Sequence, residues 1–249
     1  MKTFYTLLMV IFSTVFTHAD FAKLVNSGDV HDVRFQFDEA LSFYLPAEKI
    51  EPENVPLLVK ISRQYALMMS DLPKQADKIK SGRTALDYAE RAVALAPNDG
   101  DAHLSVAICL GKLTPFAGAR EKIENSRRIK TSADRAVKLS PSNDYAWHLL
   151  GRWHQSLANI GGTSRALASV IYGGLPAASN EQAVECFKKA MALNPKRLVH
   201  VVELGRTYQM MGRDSEAKRY LRLGLAMPDK DKDDPETKVR GRASLKKIS

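Results

Sequence analysis

The sequence predicts an all-α chain built as an array of antiparallel helix pairs. Three observations carry that expectation. A short stop phrase occurs four times, as Ile50-Glu51-Pro52-Glu53-Asn54, Leu95-Ala96-Pro97-Asn98-Asp99, Leu139-Ser140-Pro141-Ser142-Asn143 and Leu193-Asn194-Pro195-Lys196-Arg197. In each, an apolar residue ends a helix, a proline that cannot continue it follows two positions later, and polar residues open the next element. Recurrence at intervals of about 45 residues marks a repeat array rather than one irregular globule. Finally, no stretch of useful length alternates apolar and polar residues as a strand does.

Taken in order, Phe37, Leu41, Tyr44 and Leu45 recur at helical spacing between Val33 and Lys49. Pro46 is expected to kink that helix or turn it early. Leu57–Met69 is a second periodic helix, ended by Asp71-Leu72-Pro73. Ala76–Ala96 is a third, with Ala85, Leu86, Ala89, Ala92 and Val93 on one stripe. Asp101–Leu113 follows, capped by Asp99 or Asp101. After Thr114-Pro115, a long helix runs through Ile123, Ile129, Ala133, Ala136 and Val137. Tyr145–Asn159 leads to Ile160-Gly161-Gly162. Arg165–Tyr172 is a short apolar helix, and Asn180 is expected to cap a helix over Glu181–Leu193. Leu198–Met211 and Asp214–Met227 complete the array. The charged stretch Asp229–Asp234 reads as a linker, and Pro235 starts a last basic helix towards Ile248.

The prolines serve as a ruler. Ten residues after them stand Ser62, Ala107, Gly151 and Gly205, all small. Nine after stand Ile61, Val106, Leu150 and Leu204, and thirteen after stand Tyr65, Leu110, His154 and Tyr208. Five before stand Ala47, Ala92, Ala136 and Ala190; eight before, Tyr44, Ala89, Ala133 and Phe187; twelve before, Ala40, Ala85, Ile129 and Ala183. The columns resemble the tetratricopeptide (TPR) consensus, in which a small residue lets the two helices of a pair approach closely. The unit from Pro195 to Pro228 has close to that family's period of about 34 residues, and the earlier units are stretched by insertions, the longest at Asn159–Ser179. The fold expected is a TPR-like right-handed α-α superhelix with lengthened helices and one insertion helix.

Closer wording lies in His148–Trp153, Ala168–Pro176 and Glu181–Ala190, and in the segments around Ala102-His103-Leu104 and Tyr220–Pro228. These resemble the regulator of microtubule dynamics family over roughly Phe37–Asp234. That resemblance implies a TPR-like helical array without catalytic chemistry, in proteins associated with microtubules and spindle poles, mitochondria and membrane contact sites.

Met1-Lys2, the apolar run Phe4–Phe16 and Thr17-His18-Ala19 have the layout of a secretory signal cut after Ala19. The run is shorter than the ~20 residues of a spanning helix. The division expected is a signal peptide over 1–19, a helical repeat domain over 20–234 and a basic helix or tail over 235–249, in an exported, extracytoplasmic chain. The alternatives are an uncleaved membrane anchor or a mitochondrion-associated segment. Export removes microtubules as a partner; they return if the segment is no secretory signal. Cys109 and Cys186 both fall in helices, as two buried free thiols or, in an oxidising compartment, a disulfide.

In such arrays the first helix of each pair, helix A, lines the concave face, which is the usual binding surface. The position after each small residue holds Arg63, Ile108, Arg152 and Arg206, so three arginines are expected to stack as a basic ladder. Tyr145, His148, Gln155, Gln209 and Lys112 lie at neighbouring groove positions. A guanidinium grips carboxylate or phosphate in two bonds. With a net charge of +9, the ladder favours an acidic peptide or protein partner, or an anionic phospholipid head group. The competing use of the arginines is pairing inside the array, with Glu185 and Glu203 at hand. The insertion over 160–178, with Leu167, Val170, Ile171 and Tyr172, is either a lid on this groove or plain packing.

No nucleophile elbow, phosphate-binding glycine loop, HExxH motif or CxxC pair occurs, so neither enzyme, cofactor nor metal is expected. The cations are interspersed with acids and lack interleaved stacking aromatics, which argues against nucleic acid.

Overall fold

A computed structural model describes residues 18–162, 165–166, 168–169, 173–174 and 176–249. Eleven α-helices run through them: α1 (His18–Asp32), α2 (Phe37–Ile50), α3 (Val55–Met68), α4 (Gln75–Leu95), α5 (Gly100–Leu113), α6 (Ala119–Leu139), α7 (Asp144–Ala158), α8 (Asn180–Leu193), α9 (Leu198–Met210), α10 (Asp214–Ala226) and α11 (Asp234–Lys246). No strand occurs among the described residues. Consecutive helices pair as α1–α2, α3–α4, α5–α6, α7–α8 and α9–α10, and α11 closes the array against α9 and α10.

The stop phrase proves to be a start signal as well. Asn54, Asp99 and Asn143 each cap the following helix, their side chains accepting the N–H of Leu57, of Ala102, and of both Tyr145 and Ala146. Each such cap is worth roughly 1 kcal/mol. In the fourth copy Arg197 makes no side-chain cap, and its guanidinium is used elsewhere. The helix over 180–193 is capped by Ser179 rather than Asn180, with Ser179 Oγ accepting the N–H of Gln182.

The proline-anchored columns locate the core. Ala47, Ala92, Ala136 and Ala190 are fully buried, as are Tyr44, Ala89, Ala133 and Phe187. A Cβ on Gly151 would stand 2.9 Å from the Phe187 ring, and one on Gly205 2.8 Å from the Leu221 backbone nitrogen. These glycines therefore set how closely α7 meets α8 and α9 meets α10. Ser62 holds the same place in α3 by donating its hydroxyl to the Ala85 carbonyl at 2.8 Å.

Two elements depart from expectation. Helix α1 is a whole element where no periodicity was legible, and the chain over Val33–Gln36 turns back instead of starting a helix. Gly28 is its small residue, since a Cβ there would meet Tyr44 at 2.3 Å. Gly28 stands 34 residues before Ser62, so α1–α2 is a pair of ordinary TPR length. It lacks a proline ahead of it, and the ruler had no mark there. Helix α2 runs through Pro46 rather than ending at it. Pro46 and Ser42 lie on the exposed face, so the carbonyl that loses its helical partner is hydrated.

Helices α3, α5, α7 and α9 touch one another in sequence, forming a continuous inner face made of A helices. The stretch read as a linker, 229–234, does not leave the array but lies along that face.

Candidate functional site

The inner face carries a cavity of about 970 Å³. Its floor is apolar, built from Ile108 of α5, Ile129 of α6, and Leu149, Trp153 and Leu157 of α7, with Met69 and Ile160 at its ends. Trp153 is held in place by its indole N–H, which donates to the Ser126 carbonyl at 2.9 Å. The rim is cationic, with Lys78, Lys112, Lys122, Arg152 and Arg240 set against Glu203, Asp233 and Glu236. From the insertion, Gly161 and the buried Ala168 wall the cavity; Leu167, Val170, Ile171 and Tyr172 lie outside the described residues.

The arginines of the ladder do not stand free. Arg63 is ion-paired with Asp32 of α1. Arg152 Nη1 lies 2.6 Å from Glu203 Oε2, and Arg206 Nη1 donates to both Glu203 oxygens at 2.7–2.8 Å. Arg240 of α11 adds a third guanidinium at 3.5 Å. Glu203 is wholly buried. Burial pushes its carboxyl up, but Arg152, Arg206 and Arg240 together hold it well below the usual carboxylate range. The hub ties α7, α9 and α11 together. Gln155 is a buried strut, donating to Thr207 Oγ1 at 2.9 Å. Gln209, in the last turn of α9, does not line the cavity.

Tyr145, His148 and Arg152 do line it. His148 stacks on Tyr145 at 5.3 Å, and burial pushes the Tyr145 hydroxyl up to about 12. His148 Nδ1 meets His200 Nδ1 at 3.1 Å, and His200 Nε2 meets Asp144 Oδ2 at 2.8 Å. The Asp144 carboxylate only accepts, so His200 must donate from Nε2 and accept at Nδ1, and His148 must donate from Nδ1. Burial holds both imidazoles below the ordinary histidine range. Arg197 closes the group, donating to Asp144 at 2.8 Å.

The competing use of the arginines named Glu203, which does pair with Arg152 and Arg206, whereas Glu185 lies by Lys188; sequence reasoning missed Arg240 in that hub, Arg197 and the acids of 229–234. The only signal for the last was their alternation, Asp229, Asp231, Asp233, which also suits a solvated linker. Among the described residues no group of three or more His, Cys, Asp or Glu side chains is placed to hold a metal ion. Cys109 and Cys186 are both free and buried.

The family model for regulator of microtubule dynamics protein 1-3 matches residues 24–249. The chain belongs to this family. It is 24% identical over 215 residues to regulator of microtubule dynamics protein 3 of Xenopus laevis, covering 86% of this chain and 45% of that one. It is 28% identical over 189 residues to regulator of microtubule dynamics protein 1 of Mus musculus, covering 75% of this chain and 62% of that one. The chain thus spans about half the length of these relatives. Among solved structures it is similar to a thermophilic TPR protein of Thermus thermophilus, with TM-score 0.63, 18% identity, and 90% and 98% of the two chains covered. It is also similar to a chain of the APC/C hetero-tetramer Cut9-Hcn1, with TM-score 0.64, 12% identity, and 93% and 37% covered. The fold is a TPR-like superhelix.

This family overturns the expectation of an exported chain. Its members are named as regulators of microtubule dynamics, and microtubules are filaments of the cytoplasm. The predicted cut after Ala19 also falls in the first turn of α1, whose His18 contacts Glu51 at 2.8 Å and stacks on Phe21. Residues 1–17, the rest of the supposed signal, lie outside the described residues. Among those described, no helix is long and apolar enough to cross a membrane.

Proposed function

We propose that the chain is a non-catalytic binding module whose inner face captures an acidic protein segment. TPR arrays bind on the surface that successive A helices build. The observation that carries the reading is the rim of the cavity, where Lys78 and Lys122 make no ion pair among the described residues. They add to a net charge of +9. Such cations steer an acidic partner and set its register. The name of the relatives supplies one partner of this chemistry, the acidic outer surface of a microtubule. The ladder arginines are occupied by Asp32 and Glu203, so recognition in this reading falls to the rim.

The test is Lys78→Glu with Lys122→Glu in the full chain. Fluorescence anisotropy with a labelled glutamate-rich peptide at 0.1 M salt should show affinity falling by about tenfold or more. Binding within about twofold of the unchanged chain would refute the rim as the acceptor. The apolar floor favours a second reading, because about 970 Å³ lies in the range of small-molecule sites and accommodates an acyl chain beneath a cationic rim. Native mass spectrometry of the purified chain distinguishes the two: co-purified phospholipid supports the second.

A further inference from the structure

We infer that the segment Pro228–Asp234 is a tethered occupant of the inner face, and that the partner is an acidic segment with two carboxylates two residues apart that displaces it. The inference rests on the binding-module reading above and names the partner pattern and its control.

The segment leaves α10 and crosses the array. Lys232 Nζ reaches Asp71 at 2.7 Å, in the loop between α3 and α4, and lies 5.5 Å from the Phe37 ring centre. In crossing, it divides the face. A second cavity of about 660 Å³ lies beyond it, and both cavities share Ile108, Lys112, Tyr145, Val199 and Asp233 as walls. Asp233 belongs to the segment, and the other four belong to the A helices beneath. Lifting the segment joins the two spaces into one groove.

What seats the segment is charge. Asp231 Oδ2 pairs with Arg197 Nε at 3.0 Å, and Asp233 Oδ2 with Lys112 Nζ at 3.5 Å. Pro228 is its only apolar residue, and it is exposed. Asp234 alone is buried; its Oδ2 accepts the backbone N–H of Lys230 and of Asp231, both at 2.8 Å. That turn preshapes the segment so that Asp231 and Asp233 meet Arg197 and Lys112 together. A purely structural strap would be anchored by buried apolar side chains. This one is held by half-exposed ion pairs, which are individually weak and screened by salt. A segment with the same carboxylate spacing satisfies the same two cations, so the strap is both a template for the partner and its competitor.

The experiment uses the full chain and a labelled peptide alternating aspartate and glycine. Asp231→Asn with Asp233→Asn takes the segment's carboxylates off both cations while keeping the backbone bonds to Asp234, and leaves Arg197 Nε open although its Nη1 stays on Asp144. Glu185→Gln with Asp214→Asn, on α8 and α10, makes the same change in net charge elsewhere. Anisotropy should show the strap variant binding roughly five- to tenfold tighter than the unchanged chain, and the control within about twofold of it. Hydrogen exchange supplies the second readout: saturating peptide should speed exchange at the Lys230 and Asp231 amides of the unchanged chain. If the peptide binds all three chains equally and those amides keep their protection, the strap inference falls while the binding reading stands. If the peptide binds none of them, the acidic-segment reading falls and the inference with it.

Discussion

Replacing Glu203 by glutamine tests whether the centre of the site is an ion-paired hub or a loose collection of polar groups. Glu203 is fully buried and takes Arg206 through two bonds of 2.7–2.8 Å and Arg152 through a contact of 2.6 Å, with Arg240 at 3.5 Å. Glutamine keeps the shape but has one acceptor oxygen, and turns an NH₂ towards guanidinium donors. Arg152 and Arg240 are each about one-third exposed and regain water, whereas Arg206 is mostly buried and does not. Breaking a buried pair from one side costs about 3–5 kcal/mol. With a urea slope of about 2–3 kcal/mol/M, the unfolding midpoint should fall by about 1–2 M. The sign with pH follows from the depressed carboxyl. Its stabilisation is complete above the unfolded value of about 4.3 and is lost as pH falls through the lower folded value. The Glu203→Gln chain should therefore lose less stability between pH 5 and pH 3 than the unchanged chain. Urea titrations followed by circular dichroism at both pH values measure this. A midpoint shift below about 0.3 M at pH 7 would refute the hub, since it implies less than about 1 kcal/mol.

Two glycines in A helices should respond oppositely to alanine. A Cβ on Gly205 meets the Leu221 backbone nitrogen at 2.8 Å, so Gly205→Ala should cost about 2–3 kcal/mol and lower Tm by roughly 5–10 °C. Nothing lies within 4 Å of a Cβ on Gly111, so Gly111→Ala should raise Tm by about 2–3 °C through helix propensity, both read by calorimetry. The His148–His200 pair should make stability fall on mild acidification. Protonating His200 sets its Nδ1–H against that of His148, and protonating His148 places a charge in a buried site, in a setting that includes Asp144, Arg197, Arg152, Glu203 and Asp231. Because both folded values are depressed by burial, their contribution is complete above about pH 6.5 and declines below it, by up to about 2 kcal/mol at pH 5.5. Urea midpoints at pH 7.5 and 5.5 check it, and equal midpoints would contradict it.

Helix pairing and core composition were legible because both rest on local chemistry repeated at fixed distance. A proline that ends one helix, an asparagine or aspartate that caps the next, and a buried alanine five positions back are each decided within a few residues. Helix α1 was hidden for the same reason in reverse. Its sequence, with Asn26, Ser27 and Gly28 in mid-helix, has poor intrinsic propensity, and it is held by tertiary contacts of Phe21 with its neighbours in α2 and α3. The strap could not be read either. Alternating Asp and Lys in 229–234 is the composition of a solvated linker, and its destination at Asp71 lies 161 residues away.

The arginine column shows what register decides and what the surrounding array decides. Arg63, Arg152 and Arg206 do occupy equivalent positions, and that much follows from the ruler. Each is answered by an acid, yet from different directions: Arg63 by Asp32 on the preceding A helix, Arg152 by Glu203 on the following one, Arg206 by Glu203 one turn back on its own. A solenoid is stabilised chiefly by interfaces between neighbouring repeats, and the position after the small residue faces such an interface. Charges placed there in successive repeats are claimed by the array before any ligand arrives. The cations that the proposed function offers to a partner stand where the repeat is irregular: Lys78 and Lys122 near the starts of the lengthened helices α4 and α6, and, under the strap, Lys112 and Arg197, which are paired with Asp233 and with Asp144 and Asp231. On the proposed function, the departures from the repeat, more than the repeat, would carry the chemistry of recognition.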